Sequence, residues 1–402
     1  MIILVINCGS SSIKYQLFDM KSPTDYAIRA KGLVEKIGLP EGNITHKPTG
    51  KAPFEKALPI PDHKLGMKLV MDALVDPVHG VLNSFDDVDA VGHRIVQGAD
   101  FFDGSCLVNE DVLKKIEICC DFAPLHNPAH LLGIRAITQV LPKTPQVVVF
   151  DTAFHQTMPD YAYIYALPYD YYTDYHVRRY GAHGTSHQYV SRRGAEYVGL
   201  DINNSKIITC HIGNGSSVTA VKNGKCIDTS MGFTPLEGMI MGTRCGNVDC
   251  NVIPYMMKKK NISPDEMTTI MNKKSGLIGL GGVSSDMRET EEAAANGDAR
   301  ARLAINKLTY DIVKLIGAYS VVLDGVDLIV FTAGIGEHNH KVRRRVCEKL
   351  GSLGVKLDYA ANEKAFGEEA LISAPDSKVK VALIPTEEEL MIAIDTMNLT
   401  KK

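Results

Sequence analysis

"MIILVINCGSSSIKYQLFDM", residues 1–20, runs from an apolar stretch, Ile2 to Ile6, into Gly9-Ser10-Ser11-Ser12 and on through alternating Ile13, Tyr15, Leu17 and Phe18. It reads as a β-hairpin whose turn takes backbone freedom from glycine and local hydrogen bonds from serine. A second stretch, "KIITCHIGNGSSVTAVKNGKCIDTS", residues 206–230, repeats the pattern. There Ile207 to Cys210 lead into His211-Ile212-Gly213-Asn214-Gly215-Ser216-Ser217, and alternation resumes. Two such hairpins, half a chain apart, predict duplicated halves; chance likeness of two Gly/Ser turns is the alternative.

The bulk numbers allow this. A chain of 402 residues exceeds one ordinary core, so two domains are expected. Hydrophobic content of 45%, charged content of 23% and a net charge of −3 belong to a soluble globular protein without a nucleic-acid or membrane surface. No apolar stretch reaches bilayer length, and no basic and apolar leader precedes the first strand, so the expected setting is the cytoplasm. The nine cysteines form no CxxC pair, which supports neither a disulfide framework nor a zinc site.

Further strands are predicted at Val88–Val91, Val147–Phe150, Asp327–Thr332 and Val379–Ile384. A long amphipathic helix is predicted from Asp298 to Ser320, with Leu303, Ala304, Leu308, Ile312, Leu315 and Ile316 on one face, and segment 361–370 is read as helical. Residues 49–63 read as turn-rich and peripheral. The mixture predicts α/β architecture in both halves, divided after Phe150: 1–150 and 151–385.

Glycine loops recur at predicted strand ends: Gly9 to Ser12, Gly213 to Ser217, Gly279 to Gly282, and Gly334-Ile335-Gly336, the last before a helix expected to begin near Glu337. Such loops let backbone N–H groups approach an anion, and Lys14 adds positive charge beside the first. There is no GxxxxGK[ST] and no GxSxG, so neither a P-loop nor a hydrolase elbow is present. Polar residues punctuate other strand ends: Arg94, expected just after a strand, Asp151, and Glu387 to Glu389. His183 and His187 have the spacing of a metal pair, but Gly184 between them argues against a helix and no HExxH glutamate is present. Each residue alone has a structural alternative; their shared position at strand ends favours a site.

With these residues collected, the chain resembles the acetate kinase family over essentially its full length. "VINCGSSSIKY", "GHRIV", "FDTAFHQTMP", "RRYGAHGTSH", "HIGNGSS", "MGTRCG", "SSDMR", "FTAGIGE" and "PTEEEL" occur in the family's order. The resemblance implies membership of the actin, sugar kinase and heat-shock ATPase superfamily: two duplicated ribonuclease-H-like domains, mixed sheets flanked by helices, an ATP cleft between them, and a homodimer. It also implies that 386–402 returns to complete the first domain. The implied reaction is reversible transfer of the ATP γ-phosphoryl group to acetate, giving acetyl phosphate and ADP. By motif, Asn7 and Glu388 would help hold Mg²⁺, with Mn²⁺ as a substitute, and Lys14 and Ser10 would face the phosphates. Arg94 and Arg244 would hold the carboxylate and the moving phosphoryl group, His183 would donate to its oxygens, and Asp151 would be the essential acid. His211, Ile212, Gly213, Asn214 and Gly215, with Asp286, Met287, Arg288, Gly334, Ile335, Gly336, Glu337 and His338, would bind ATP. Val96, Leu125, Ala182 and Pro235 would surround the acetate methyl group.

The residue types suit that reaction. Acetate is ionised at neutral pH and needs no general base; the obstacle is bringing one anion against another, which Mg²⁺, two arginines and a histidine relieve. Arginine's planar fork matches carboxylate and phosphoryl oxygens. The sequence departs from the family at Cys8 (usually Ala), Glu387 and His338 (usually Asn), Gln97 and Ala99, and at Ala182, where Phe is usual. The last widens the acyl pocket and predicts better use of propionate than in Phe-bearing relatives. A propionate or butyrate kinase is the near alternative; a non-catalytic ATP-dependent chaperone or filament protein is the distant one.

Overall fold

The computed structural model describes residues 1–9, 11–124 and 126–401; Ser10 and Leu125 lie outside the described residues. The chain divides into two compact units, Met1–Ala153 with Glu387–Lys402, and Phe154–Thr386. Asp151, counted with the second half from sequence, belongs to the first unit, where its carboxylate is bound to Arg94.

The first unit carries β1 (Ile2–Cys8), β2 (Ser12–Met20), β3 (Tyr26–Glu35), β4 (Gly42–Pro48), β5 (Phe54–Leu58), β6 (Ala90–Ile95), β7 (Cys106–Leu107) and β8 (Gln146–Phe150) in one sheet of order β5-β4-β3-β2-β1-β6-β8-β7. The second carries β9 (Lys206–Ile212), β10 (Ser216–Lys222), β11 (Lys225–Thr229), β12 (Leu328–Thr332), β13 (Ala370–Leu371) and β14 (Lys380–Leu383), ordered β11-β10-β9-β12-β14-β13. Both quoted stretches are antiparallel hairpins, β1–β2 and β9–β10. Each hairpin is followed by a third antiparallel strand, and its first strand pairs parallel with a later one. That strand pairs parallel with another, which a two-residue antiparallel strand flanks. The two sheets therefore repeat one strand order, with β4 and β5 added to the first.

Alternation decides the faces. Leu4, Ile6, Ile13, Tyr15, Leu17 and Val91 are buried in one core with Met67, Val70 and Ile137, from the helices His63–Leu74 and Asn127–Val140. The C-terminal helix Glu388–Thr400 packs on β1, β6 and β8, and Gly92, of opposite parity to Val91, faces it. In the second unit, the helix Ala299–Val322 is capped by Asp298, whose carboxylate accepts from Arg300 and Ala301 backbone N–H groups at 2.8 and 3.0 Å. Ala304, Leu308, Ile312 and Ile316 enter its core as predicted, whereas Leu303 is exposed, one position off the buried stripe.

Other expectations change. Arg94 lies within β6 rather than after it, because the strand extends to Ile95 alongside β8. The helix in 361–370 is Tyr359–Lys364, and Ala370–Leu371 is instead the edge strand β13. Residues 54–58, inside the turn-rich stretch, form the edge strand β5. Gly334 and Gly336 lie inside a short helix, Ala333–His338, because Glu337 Oε1 reaches back to accept from Ala333 N–H at 2.7 Å.

Gly92 is where the C-terminal helix comes closest to the sheet: an added Cβ would lie 2.4 Å from Thr396 Oγ1 and 2.6 Å from Ile392 Cγ2. Gly92→Ala is expected to lower stability by about 1–3 kcal/mol through overpacking, measured by denaturant unfolding.

Candidate active site

In the first unit, the parallel strands β1, β6 and β8 end side by side at Asn7–Cys8, Arg94–Ile95 and Phe150–Asp151, and ligands favour such carboxyl ends. Asp151 N–H donates to Ile95 carbonyl at 2.8 Å, extending the β6–β8 pairing by one bond. Arg94 Nε and Nη2 then donate to Asp151 Oδ1 and Oδ2 at 3.0 and 2.7 Å, a two-pronged ion pair. Burial pushes the Asp151 carboxyl above its ordinary range while Arg94 draws it back. Burial opposes the charge on Arg94, but Asp151, Glu388 and Glu389 hold its pKa above the ordinary value.

Asn7 faces Lys14 across the β1–β2 ladder, and Lys14 Nζ lies 2.5 Å from Glu389 in the first turn of the C-terminal helix. Glu388 is near enough to perturb both Arg94 and Asp151. Among the described residues no three His, Cys, Asp or Glu side chains converge on a metal position. An amide oxygen at Asn7 and carboxylates at Glu388 and Asp151 are the hard oxygen donors that Mg²⁺ takes while keeping most of its waters. Beside them, Val96 N–H donates to His130 Nδ1 at 3.4 Å, and Gln97 and Asn127 exchange two hydrogen bonds that fix the following turn.

The second unit holds a cavity of about 670 Å³ lined by Gly213, Asn214, Asp286, Met287, Arg288, Gly334, Ile335 and His338, all singled out from sequence, with Ser285, Asn339 and Phe366. Asp286 caps the helix Met287–Ala295 and is paired with Arg288 Nη2 at 2.6 Å. His338 Nδ1 lies 3.0 Å from Gly334 carbonyl, and its ring meets Phe366 edge-on at 4.7 Å. Gly336 and Glu337 are not among the lining residues. Arg343 takes the Gly336 carbonyl at 2.8 Å, and the Glu337 carboxylate caps Ala333 and accepts from Thr386 N–H at 3.1 Å. Ile212 is wholly in the core.

Beside Gly215 of the β9–β10 turn two donors converge. A Cβ built on Gly215 would lie 3.4 Å from Arg244 Nη1 and 3.5 Å from His183 Nε2. Arg244 has no acidic partner among the described residues; its Nη1 meets only the Pro235 carbonyl at 3.1 Å and Met241 Sδ at 3.7 Å, and burial lowers its pKa. A largely buried guanidinium held by neutral acceptors is an uncompensated charge. It is set for an anion.

His183 has φ +59° and precedes the helix Gly184–Tyr197, so His187 is helical after all: Gly184 opens the helix rather than preventing it. The two histidines are not a metal pair. Ser217 Oγ lies between them, 2.8 Å from His183 Nδ1 and 2.7 Å from His187 Nε2. His183 stacks on His211 at 4.0 Å, and His211 Nδ1 lies 2.9 Å from Ser186 Oγ. Ala182 is buried against Met231 and Met241, and its carbonyl lies 3.0 Å from His155 Nε2.

The sequence had not singled out Ser217, Thr209, Ser285, Asn339 or Phe366 as site residues. Ser217 stood inside a quoted motif; Phe366 carried no local signal, since only the fold brings it to the cavity.

Duplicated sheets ending in paired charges and a glycine-lined cavity define a phosphotransferase-type α/β protein. The chain belongs to the Acetokinase family, whose model matches residues 2–394. It is 56% identical over 396 residues to an acetate kinase of Thermoanaerobacterium thermosaccharolyticum, covering 98% of each chain. It is 53% identical to one from Bacteroides thetaiotaomicron, covering all of both. The crystal structure of Porphyromonas gingivalis acetate kinase matches with a TM-score of 0.94 at 46% identity over 100% of both chains. A propionate kinase from Francisella tularensis matches at 0.91 and 41% over 99% of both.

The buried histidines make a test of acid stability. Burial pushes His93 and His155 down to about 4, and His130 and His187 well below their ordinary value of 6.5. Between pH 6.5 and 4 the unfolded chain binds protons that the folded chain refuses, so stability rises with pH across that window. Unfolding free energy should be level in histidine terms above pH 7 and fall below 6.5, His93 and His155 each accounting for about 3 kcal/mol by pH 4. Urea unfolding from pH 8 to 4 measures it.

Proposed function

We propose that this chain is an acetate kinase, transferring the ATP γ-phosphoryl group to acetate by direct in-line attack, reversibly, with acetyl phosphate and ADP as products. The observation that carries this is Arg244: a half-buried guanidinium without an acidic partner among the described residues, its Nη1 beside His183 Nε2 over the backbone of Gly215. Such a pair of donors suits phosphoryl oxygens, on which charge is spread in the transition state.

ATP is assigned to the glycine-lined cavity, its base toward Ile335, His338 and Phe366 and its phosphates toward Gly213 and Asn214. Arg94 receives the carboxylate, oriented by Asp151; with acetate already ionised there is no proton for Asp151 to take. Lys14 and Ser10 are assigned to the phosphates. Asn7 and Glu388, with Asp151 nearby, are the residues that would hold Mg²⁺ or Mn²⁺, and the ion supplies neutralisation of phosphate charge. The protein is expected to act as a homodimer in the cytoplasm; light scattering giving twice the mass of one chain checks the first point.

From the resemblance, Ala182 and Pro235 of the second unit are assigned to the acyl pocket. Ala182 packs against Met231 and Met241, whose unbranched side chains can re-pack around a longer acid. Propionate kinase is therefore the second reading, with acetate still preferred.

ADP release from ATP should depend on acetate, with acetyl phosphate trapped as its hydroxamate; acetate-independent turnover contradicts the proposal. Arg244→Ala should lose about 10³-fold or more in kcat, by analogy with arginine fingers. Ala182→Phe should lower kcat/KM for propionate relative to acetate by about tenfold, the lower end of the range for one methylene in an apolar pocket. Equal ratios in the two proteins remove Ala182 from the pocket.

A further inference from the structure

We infer that Thr209, His187 and Ser217 form a positioning chain that fixes which nitrogen of His183 carries the proton, so that His183 offers Nε2–H beside Arg244 while still neutral. Three successive contacts build it: Thr209 Oγ1 to His187 Nδ1 at 2.7 Å, His187 Nε2 to Ser217 Oγ at 2.7 Å, and Ser217 Oγ to His183 Nδ1 at 2.8 Å. The elements make the alignment unavoidable. Thr209 on β9 is two residues before His211, which stands opposite Ser217 on β10, so all three share the sheet face on which the helix Gly184–Tyr197 lies.

The direction of the chain follows from its far end. Thr209, His187 and Ser217 are all fully buried. His187 is neutral at ordinary pH because burial holds its pKa well down, so one ring nitrogen donates and the other accepts. Among the described residues the Thr209 hydroxyl has a single hydrogen-bond partner, His187 Nδ1. Were Nδ1 the donor, the Thr209 hydroxyl hydrogen would be buried without an acceptor, at a cost native structures avoid. Thr209 therefore donates to His187 Nδ1, His187 Nε2–H donates to Ser217 Oγ, and Ser217 O–H donates to His183 Nδ1. The His183 proton is left on Nε2, the atom that lies with Arg244 Nη1 around the position above Gly215. A neutral donor costs less to hold beside a buried guanidinium than a second cation would.

The functional half of this inference rests on the phosphoryl-transfer reading; the tautomer half does not, and one experiment separates them. A long-range proton–nitrogen correlation spectrum of the histidine-labelled protein, at a pH where imidazoles are neutral, reports each ring's tautomer, with His183 assigned from its loss in His183→Gln. The wild-type His183 should show a protonated Nε2 and a bare Nδ1. Thr209→Val, which removes one hydroxyl three hydrogen bonds away, should leave His183 in mixed tautomers. Ser217→Ala should lower kcat about tenfold or more, short of the 10²- to 10³-fold expected for deleting a transition-state donor outright, with KM for ATP within about twofold. A wild-type His183 protonated on Nδ1, or a Thr209→Val spectrum identical to wild type, overturns the chain. A clean Nε2–H tautomer with wild-type kcat in folded Ser217→Ala overturns its part in catalysis alone.

Discussion

A half-buried guanidinium without a carboxylate beside it among the described residues is the constraint on which the proposed site of the second unit depends. Arg244 is held by a carbonyl and a thioether, neither of which cancels its charge. The side chain next to it, His183, is joined through Ser217 to the buried His187. In the first unit the opposite solution is used. Arg94 is doubly bonded to Asp151, with Glu388 and Glu389 adding negative potential, so its charge is compensated and its fork is fixed in direction. One arginine is oriented and the other is left in want of an anion. In the proposed reaction, that difference would separate holding a carboxylate from attracting a phosphoryl group.

Both arrangements grow from one repeated strand order. A hairpin brings the chain to a tight turn, two later strands pair parallel beside it, and their carboxyl ends collect in one place. In the first copy those ends carry Asn7, Arg94 and Asp151; in the second, the same hairpin turn carries His211 to Gly215. The C-terminal helix seats Glu388 and Glu389 against the first sheet, and it fits because Gly92 offers no side chain where Ile392 and Thr396 pass.

Much of this was legible in the sequence, and for identifiable reasons. The hairpins were readable because period-two alternation flanked glycine and serine turns. The helix Ala299–Val322 was readable from its 3.6 periodicity. Eight cavity-lining residues could be named because they sit in short contiguous motifs. Legibility failed where tertiary bonds decide local structure. Glu337 reaches back to cap Ala333 and moves a helix start forward, and β13 exists only because β14 is there to pair with it. Gly184 is disfavoured inside a helix but harmless as its first residue, so the helix that carries His187 was missed from propensity alone. Thr209 and Phe366 gave no local sign, since their roles depend on what the fold sets beside them.

The central claim is that Arg244 and His183 together receive the terminal phosphate. A crystal structure with a non-hydrolysable ATP analogue and Mg²⁺ tests it most directly. The account predicts terminal phosphate oxygens within hydrogen-bonding reach, about 3 Å, of both Arg244 Nη1 and His183 Nε2, with the base against Ile335 and Phe366. A nucleotide whose terminal phosphate approaches neither donor would contradict it.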